Sequence, residues 1–352
     1  MKKILLLPGD GIGPEIMEQA KKVLACFPNL FECEEGYIGG AAIDKFGNPF
    51  PEITLKQSTK ADAVLLGAVG GPKWDSLSSE NRPEKGLLAI RKALGLYANI
   101  RPVDIWKSLI DLSPLKPSLL KDVSFVVVRE LTGDLYFGTP RGYRVEKGSR
   151  IAFNTMIYSE EEIKRIAHTG FTLARNRKKK LCSIDKSNVL EAMVLWREIV
   201  EEVHRDYKDI ALSHMYVDNA AMQIIKRPAD FDVILTPNMF GDILSDEAAV
   251  LSGSLGLLPS ASLGIKHALY EPIHGSAPDI AGMGIANPIG MILSVAMMLE
   301  TSCDSADLAF KIRHAVAAVL DAGLRTKDIW SNGMALASTD EIGTRIAESI
   351  LT

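Results

Sequence analysis

Two aspartates spaced four residues apart are the first sign of chemistry in this sequence. Asp242 and Asp246 lie in residues 239–247, and a helix there would place both carboxylates on one face, about 5–6 Å apart at Cβ. A divalent cation between them would relieve their repulsion, and carboxylate oxygens favour Mg²⁺ or Mn²⁺ over zinc. Asp218, after another apolar run, is the natural third ligand. The alternative is that both aspartates only stabilise the start of a helix.

Three arginines and two leucines could form a pocket for an acidic substrate. Leu87 and Leu88 precede Arg91 by four and three residues, so a helix would place all three side chains on one stripe. Arg101 and Arg129 are further candidates, because the planar guanidinium binds carboxylates in a bidentate way. Together these residues would suit a dicarboxylate with a branched alkyl arm. For each leucine, core packing is the alternative.

A segment rich in small residues, 271–282, is the best candidate for binding a nucleotide. Small side chains let the backbone approach a ligand closely, and His274, Asp279 and Asn287 could supply hydrogen bonds. Asp279 would accept hydrogen bonds from ribose hydroxyls and would repel a 2′-phosphate. The sequence therefore predicts NAD as the cofactor.

A second glycine-rich segment, residues 9–15, is a weaker nucleotide candidate. It follows an apolar run, but its glycines do not have GxGxxG spacing. Asp10 would also repel a pyrophosphate. We therefore do not interpret this segment as a Rossmann fingerprint.

Length and composition are typical of a globular enzyme. The chain has 352 residues, 47% hydrophobic and 24% charged, with a net charge of −4. This length predicts two domains or one large α/β unit split by a cleft. The composition excludes a disordered chain and gives no reason to expect a nucleic-acid partner. The basic run 175–180 is interpreted as a solvated helix end.

The cysteines and the apolar segments predict a cytoplasmic protein. The apolar run 4–7 stops at Pro8, too early for a signal peptide, and residues 285–299 are short enough to be a core helix that starts near Asn287. No CxxC pair or metal-binding spacing occurs, which favours reduced thiols; the four cysteines are Cys26, Cys33, Cys182 and Cys303.

Short apolar runs alternate with amphipathic stretches, which predicts an α/β fold. The predicted strands are residues 4–7, 63–67, 124–128, 181–184, 215–217 and 233–236. One predicted helix follows a Ser159-x-x-Glu162 capping box and has its apolar face at Ile163, Ile166, Ala167, Phe171 and Ala174. A second has Val189, Ala192, Met193, Trp196 and Val203 on one face.

Polar residues follow several of these predicted strands. They include Arg129, Lys186, Asp218 and Asn238. Because the carboxyl ends of strands border the ligand crevice in open α/β sheets, these side chains could converge there. The alternative is that they are turn residues, which suits Asn238 better than Arg129.

Several long motifs resemble the isocitrate/isopropylmalate family of β-decarboxylating dehydrogenases, which also includes homoisocitrate and tartrate/D-malate enzymes. The resemblance covers nearly the whole chain. It is carried by residues 7–15, 99–102, 129–133, 136–138, 185–188, 238–246 and 274–282.

This resemblance implies the family's own two-domain α/β fold with parallel strands, not a Rossmann fold. The first domain would comprise residues 1–98 plus 253–352 and bind NAD, and the second would comprise residues 99–252, with the active site in the cleft between them. It also implies a homodimer in which Lys186 and Asp218 enter the active site of the partner subunit.

The resemblance also implies roles for individual residues. Lys186 would be the catalytic base and Tyr136 would donate a proton to carbon. Arg91, Arg101, Arg129 and Asp218 would bind substrate; Asp218, Asp242 and Asp246 would hold Mg²⁺ or Mn²⁺. The residues implied for NAD are Gly71, Glu84, His274, Gly275, Ser276, Ala277, Pro278, Asp279, Ile280 and Asn287.

Within the family, Glu84-x-Gly86-Leu87-Leu88-x-x-Arg91 resembles the isopropylmalate branch, in which this helix lines the pocket for the isopropyl group. That resemblance implies oxidative decarboxylation of 3-isopropylmalate in leucine biosynthesis. Tartrate/D-malate or homoisocitrate oxidation and a non-catalytic regulatory subunit remain the alternatives. Glu84 and the loop 75–83 could contact nicotinamide or form only a surface lid.

Overall fold

The computed structural model describes residues 1–78 and 81–352. Residues 79 and 80, in the loop 75–83 named above as a possible lid, lie outside the described residues. The chain divides into two compact units. The first contains Met1–Leu96, Trp106–Pro114 and Ser252–Thr352, and the second contains Tyr97–Ile105 and Leu115–Leu251.

The strands are, in chain order, β1 (Lys2–Gly9), β2 (Phe31–Glu35), β3 (Ala63–Ala68), β4 (Ala98–Asp104), β5 (Ser124–Glu130), β6 (Gly142–Glu146), β7 (Ser149–Phe153), β8 (Lys180–Asp185), β9 (Ala211–Tyr216), β10 (Val233–Thr236), β11 (Pro259–Leu263), β12 (Ala268–Pro272), β13 (Leu324–Arg325) and β14 (Ala335–Leu336).

The helices are α1 (Gly13–Ala25), α2 (Gly39–Phe46), α3 (Glu52–Ser58), α4 (Pro83–Ala93), α5 (Pro117–Leu120), α6 (Glu160–Arg175), α7 (Glu191–His204), α8 (Val217–Lys226), α9 (Asn238–Ala249), α10 (Ile289–Thr301), α11 (Ala306–Asp321) and α12 (Thr339–Leu351). Short 3-10 helices cover Pro72–Trp74, Lys107–Leu112, Pro228–Asp230, Val250–Ser252, Leu255–Leu257 and Lys327–Ile329.

In the first unit the strands lie in the order β2-β1-β3-β12-β11. The pairs β2–β1, β1–β3 and β3–β12 are parallel, and β11 runs antiparallel to β12. The carboxyl ends of β1, β3 and β12 therefore lie at the same edge of the sheet. Three loops start there, at Asp10, Val69 and Ile273.

In the second unit the order is β4-β5-β10-β8-β9. All neighbours are parallel except β4, which is antiparallel to β5. Consequently β5, β10, β8 and β9 end at one edge, where the segments containing Tyr136, Asn238, Lys186 and Asp218 begin. A separate antiparallel hairpin joins β6 to β7.

The α/β fold with mostly parallel strands confirms the predicted class, and each predicted strand is present. The run predicted at 215–217 is the end of β9, but Val217 is wrong as a strand residue because it begins α8. The capping box of α6 is present, with Ser159 and Glu162 bonding each other's backbone N–H. Val189 is wrong as a helix-face residue, because it precedes α7 and is exposed.

The apolar segment near residue 289 forms α10, which is almost entirely buried. The basic run 175–180 begins at the last residue of α6. Among the helices that the structure describes, none has the length and apolar character needed to cross a bilayer.

Candidate active-site residues

Helix α9 presents Asp242 and Asp246 to two arginines of the second unit. Arg129 Nη1 donates to Asp242 Oδ1, and Arg101 Nη1 donates to Asp246 Oδ1 at 3.1 Å. Arg101 Nη2 also lies 3.8 Å from Asp242 Oδ1. The arginine side chains are almost buried, whereas that of Asp246 is 63% exposed. The four charges therefore form a compact cluster whose aspartate side is open.

Asn238 and Gly241 fix the direction of the Arg129 side chain. Asn238 Oδ1 accepts hydrogen bonds from Arg129 Nε at 3.0 Å and Nη2 at 2.8 Å. A Cβ at Gly241 would overlap Thr236 Oγ1 and lie 2.7 Å from Arg129 Cγ. Only a glycine at this position allows α9 to pack directly against the arginine.

Tyr158 in turn holds Asn238, at the first residue of α9. The phenolic oxygen of Tyr158 accepts a hydrogen bond from Asn238 N at 2.8 Å. Burial raises the pKa of Tyr158 well above its ordinary value, and the charges of Glu130 and Asp134 act in the same direction. The phenol thus stays neutral and supplies a fixed acceptor for an otherwise unpaired N–H at the helix start.

The segment after β5 places Tyr136 beside the same cluster. Its hydroxyl donates to Asp242 Oδ2 at 2.9 Å. Burial raises the pKa of Tyr136, and the hydrogen bond to Asp242 raises it further. Both effects keep the phenolic proton in place, as a proton donor requires.

Two buried carboxylates shape the turn that leads to Tyr136. Glu130, which is fully buried, accepts hydrogen bonds from Thr132 N and Gly133 N, both at 2.8 Å. Asp134 accepts from Leu135 N at 2.7 Å and from Met239 N at 3.0 Å. The turn is therefore tied both to its own strand and to α9.

Lys186 and Asp218 form a separate pair in the second unit. Lys186 Nζ lies 2.7 Å from Asp218 Oδ1, and this hydrogen bond lowers the pKa of Asp218. The preceding residue, Asp185, is fully buried and accepts from Arg197 Nε at 2.9 Å and from Ser187 N at 2.9 Å. Asp185 therefore anchors the backbone that carries Lys186.

The donors on α9 suit a hard divalent cation. Asp242 and Asp246 offer only oxygen atoms on one helix face, as Mg²⁺ and Mn²⁺ prefer. Within the described part of a single chain, however, no group of three His, Cys, Asp or Glu side chains could hold a metal. In that part of one chain, the predicted carboxylates Asp218, Asp242 and Asp246 are therefore not assembled into a metal site.

In the first unit, α4 carries Glu84, Leu87, Leu88 and Arg91. Arg91 Nη2 forms an ion pair of 2.6 Å with Glu271 Oε1, the last but one residue of β12. Leu87 is half-buried against the apolar core below α4, which supports the packing alternative for this residue. Leu88 is also half-buried.

The loops after β3 and β12 carry the residues implied for NAD. Glu84 Oε1 would lie 2.8 Å from a Cβ at Gly70, so its carboxylate stands next to the Gly70–Gly71 turn. His274 Nδ1 lies 2.9 Å from Gly275 O, whereas its buried Nε2 has no hydrogen-bond partner among the residues that the structure describes. Burial lowers the pKa of His274. The imidazole is therefore neutral, with one nitrogen left for a ligand.

The remaining residues of this predicted site differ in exposure. Gly275, Pro278 and Asp279 are exposed, Ala277 and Ile280 are half-buried, and Ser276 is buried. Asn287 lies just before the N-cap residue of α10, and its Oδ1 accepts from Ile289 N, at the first residue of the helix, at 3.0 Å. Its Nδ2 donates to Asp328 Oδ2, also at 3.0 Å.

The family model described as "Isocitrate/isopropylmalate dehydrogenase" matches residues 3–346. The chain belongs to the isocitrate/isopropylmalate dehydrogenase family.

Relatives in this dehydrogenase family match over nearly their full length. The 3-isopropylmalate dehydrogenase of Aquifex aeolicus is 56% identical over 352 residues, which cover 99% of this chain and 97% of the relative. That of Saccharophagus degradans is also 56% identical, over 355 residues and 99% of both chains.

Two solved structures support the family fold. The isocitrate dehydrogenase of Methylococcus capsulatus has a TM-score of 0.89 and 36% identity, covering 100% of both chains. The β-decarboxylating dehydrogenase of Thermococcus kodakarensis has a TM-score of 0.81 and 34% identity, covering 99% of this chain and 96% of that one. Identity this high over whole chains supports the family as well as the fold.

Sequence reasoning missed the structural roles of several residues that contact the predicted site residues. Glu271, Asn238 and Tyr158 each hold a predicted residue in place. Asn238 was expected only as a possible crevice or turn residue, Glu271 only as part of the segment 271–282, and Tyr158 was not a candidate. Asn238 lay next to a predicted strand end and in a family motif, so its position was a usable signal. Nothing in the sequence pointed to Tyr158, which lies far along the chain from α9.

Proposed function

We propose that this chain oxidises and decarboxylates (2R,3S)-3-isopropylmalate to 4-methyl-2-oxopentanoate with reduction of NAD, a step of leucine biosynthesis. The proposal is supported by the full-length identity of 56% to relatives named 3-isopropylmalate dehydrogenase. The structural observation that carries it is the cluster on α9, where Arg101, Arg129 and Tyr136 all contact Asp242 or Asp246.

Residues of both units contribute to the proposed reaction. Arg101, Arg129 and, from the first unit, Arg91 bind the two carboxylates of the substrate, since guanidinium groups pair with carboxylates in a bidentate way. Each of these arginines already contacts a carboxylate of its own unit. Substrate carboxylates would therefore exchange with protein carboxylates that the same guanidinium groups now neutralise.

Two groups of the chain move protons in this proposal. Lys186 accepts the proton of the 2-hydroxyl as hydride leaves C2 for NAD, which yields a β-keto acid. After CO₂ is lost, Tyr136 donates a proton to the carbon that carried the lost carboxylate. The raised pKa of Tyr136 supports this role, because the phenol holds its proton until a strongly basic carbon is formed.

Asp242 and Asp246 would hold Mg²⁺ or Mn²⁺, with Asp218 as a third ligand. When bound, the cation supplies a Lewis acid for the oxygen on C2. Because Asp218 pairs with Lys186 within one chain, we propose that both residues serve the active site of the partner subunit in a homodimer. One subunit would then supply both a base and a metal ligand to the active site of the other.

The cofactor would be NAD, bound by the segment 274–280 together with Gly71, Glu84 and Asn287. Two observations support this placement. His274 Nε2 is buried with no hydrogen-bond partner in the described part of the chain, and Asp279 is an exposed carboxylate that would accept from ribose hydroxyls. The same carboxylate would repel the 2′-phosphate of NADP.

The proposed function is tested by measuring NADH formation from 3-isopropylmalate, D-malate and isocitrate with the purified protein, in the presence and absence of EDTA. We expect the highest kcat/KM with 3-isopropylmalate, and we expect EDTA to abolish turnover until Mg²⁺ or Mn²⁺ is restored. A higher kcat/KM on D-malate or isocitrate would assign another branch of the family. No turnover on any of the three would overturn the proposed function and leave homoisocitrate oxidation or a regulatory subunit.

A further inference from the structure

The conspicuous motif at residues 9–15 has its two acidic side chains bonded to backbone N–H groups of other loops. Asp10, which is 4% exposed, accepts from Gly40 N and Gly70 N at 2.8 Å and from Ala41 N at 2.7 Å. It therefore ties the start of α2 to the turn before Gly71. Burial raises the pKa of Asp10 despite these three hydrogen bonds.

Glu15, in the first turn of α1, performs a similar task for the loop after β12. One carboxylate oxygen accepts from Gly282 N and the other accepts from Gly284 N at 3.1 Å. Both glycines have positive φ, +77° and +65°, so these two amides, two residues apart, can both turn toward one carboxylate. A single side chain thus fixes the end of the segment predicted to bind the dinucleotide.

The beginning of the same segment is fixed by the backbone of the motif. Ile12 N donates to Ser276 O at 2.8 Å, and a Cβ at Gly11 would overlap that carbonyl oxygen. The segment between Ser276 and Gly282 is therefore held at both ends by residues 11–15. Asp279, exposed between these two anchors, is the side chain proposed to contact ribose.

We propose that Glu15 is a positioning residue for cofactor binding. Its carboxylate holds the 276–284 loop in its binding conformation before NAD binds. The conformational entropy of the loop is therefore lost on folding and not on binding of NAD. If the loop were competent only a tenth of the time, the observed dissociation constant would rise about tenfold. The inference rests on the proposed use of NAD, but the hydrogen bonds themselves do not.

The test is Glu15→Gln, with Glu18→Gln as its matched control. Glutamine keeps the shape of the side chain but replaces one acceptor with an N–H₂ group that faces another donor. Glu18 lies on the same helix, is exposed and pairs only with Lys21 among the ion pairs of the described residues. Glu15→Asp is a second variant, since it keeps the charge but is too short to span both amides.

Dissociation constants for NADH are measured by fluorescence, together with hydrogen exchange at Gly282 and Gly284 in the ligand-free protein. We expect both Glu15 variants to exchange faster at these amides and to bind NADH about tenfold more weakly, with kcat at saturating NAD and KM for 3-isopropylmalate within about twofold of the parent. The control should match the parent.

Three results would separate the possible failures. If the parent forms NADH but both variants bind it within twofold of the parent, the inference about Glu15 is overturned and the proposed function stands. If Glu15→Asp retains affinity while Glu15→Gln loses it, the charge and not the paired reach is responsible, which also overturns it. A parent that neither binds NADH nor turns over substrate overturns both.

Discussion

The hydroxyl of Tyr136 donates a 2.9 Å hydrogen bond to Asp242 Oδ2, while Arg129 donates to the other oxygen of the same carboxylate. One aspartate on α9 therefore orients both the proposed proton donor and a proposed substrate-binding arginine. This arrangement joins the proton-transfer and substrate-binding roles through a single side chain.

Tyr136→Phe should lower kcat by about a hundredfold or more, because general acid catalysis typically contributes that much. The affinity for 3-isopropylmalate should change little, since the phenol is not proposed to bind the substrate carboxylates. Steady-state rates of NADH formation and of CO₂ release measure both kcat and the affinity for 3-isopropylmalate. Tyr143→Phe is the matched control, because Tyr143 is 84% exposed on β6; turnover of Tyr136→Phe close to this control would remove the proton donor from the proposal.

The proposed contribution of Lys186 to the active site of the partner subunit is tested by mixing two inactive variants. Lys186→Met and Asp242→Asn should each be inactive alone. If each active site combines Lys186 of one subunit with Asp242 of the other, unfolding and refolding the two variants together should restore about a quarter of the parent activity, because half of the dimers contain one intact site. Recovery of no activity, in a mixture shown to contain heterodimers, would place both residues in the same subunit's site.

Gly241→Ala should reduce both stability and substrate affinity. The new methyl group would push against Thr236 and Arg129, and overpacking of this kind costs about 1–3 kcal/mol. Displacement of the arginine should raise KM for 3-isopropylmalate, whereas KM for NAD should stay unchanged. Urea denaturation and steady-state kinetics check the two effects; an unchanged KM would show that α9 can move aside without moving the arginine.

Leu87→Ser and Leu88→Ser should differ in their effects on stability but not on substrate preference. Leu87 packs against the core below α4, so its replacement should lower the free energy of unfolding by about 1–2 kcal/mol. Either replacement should lower kcat/KM for 3-isopropylmalate relative to D-malate by about tenfold, if both leucines contact the isopropyl arm. A substrate ratio unchanged by both variants would leave the leucines with packing roles only.

Stability should fall as the pH drops below about 6.5, in part through His214 on β9. Burial lowers the pKa of this histidine below its usual value of 6.5, and the neighbouring charge of Arg197 acts in the same direction, against opposing contributions from Asp185 and Glu201. Because the unfolded chain takes up the proton more readily, the stabilisation is complete above the unfolded pKa and is lost as pH falls below it.

Urea unfolding between pH 5.5 and 7.5 measures this loss, and His214→Gln should flatten the dependence on pH. His314→Gln, at an exposed position on α11, should leave the slope as in the parent. Equal slopes for the parent and both variants would show that protonation of His214 does not limit stability in this range.

The fold was largely predictable because buried parallel strands have continuous apolar runs, as β3 and β10 do. Strands without such runs escaped prediction. All but the first residue of β2 are exposed, and its sequence, FECEE, is mainly acidic. The first four residues of β11, PSAS, are buried but include no large apolar side chain. In both cases the neighbouring strands, which the local sequence does not specify, decide the structure.

The site was predicted less completely than the fold. Helical spacing placed Asp242 and Asp246 on one face, and strand ends pointed to Arg129, because both signals are local. The partners of these charges depend on tertiary structure: the pairing of Arg91 with Glu271 joins residues far apart in the chain. The structural use of Asp10 and Glu15 was missed for the same reason, since their partners are backbone amides that no side-chain pattern reveals.

The position of β12 beside β3 has a consequence for how the protein is made. Val64 pairs with Leu269, so strands β2, β1 and β3 leave the ribosome long before the neighbour that completes their sheet. Until then β3 presents an apolar open edge, of the kind that recruits unwanted strands. The nascent first unit is therefore expected to depend on molecular chaperones until translation passes β12.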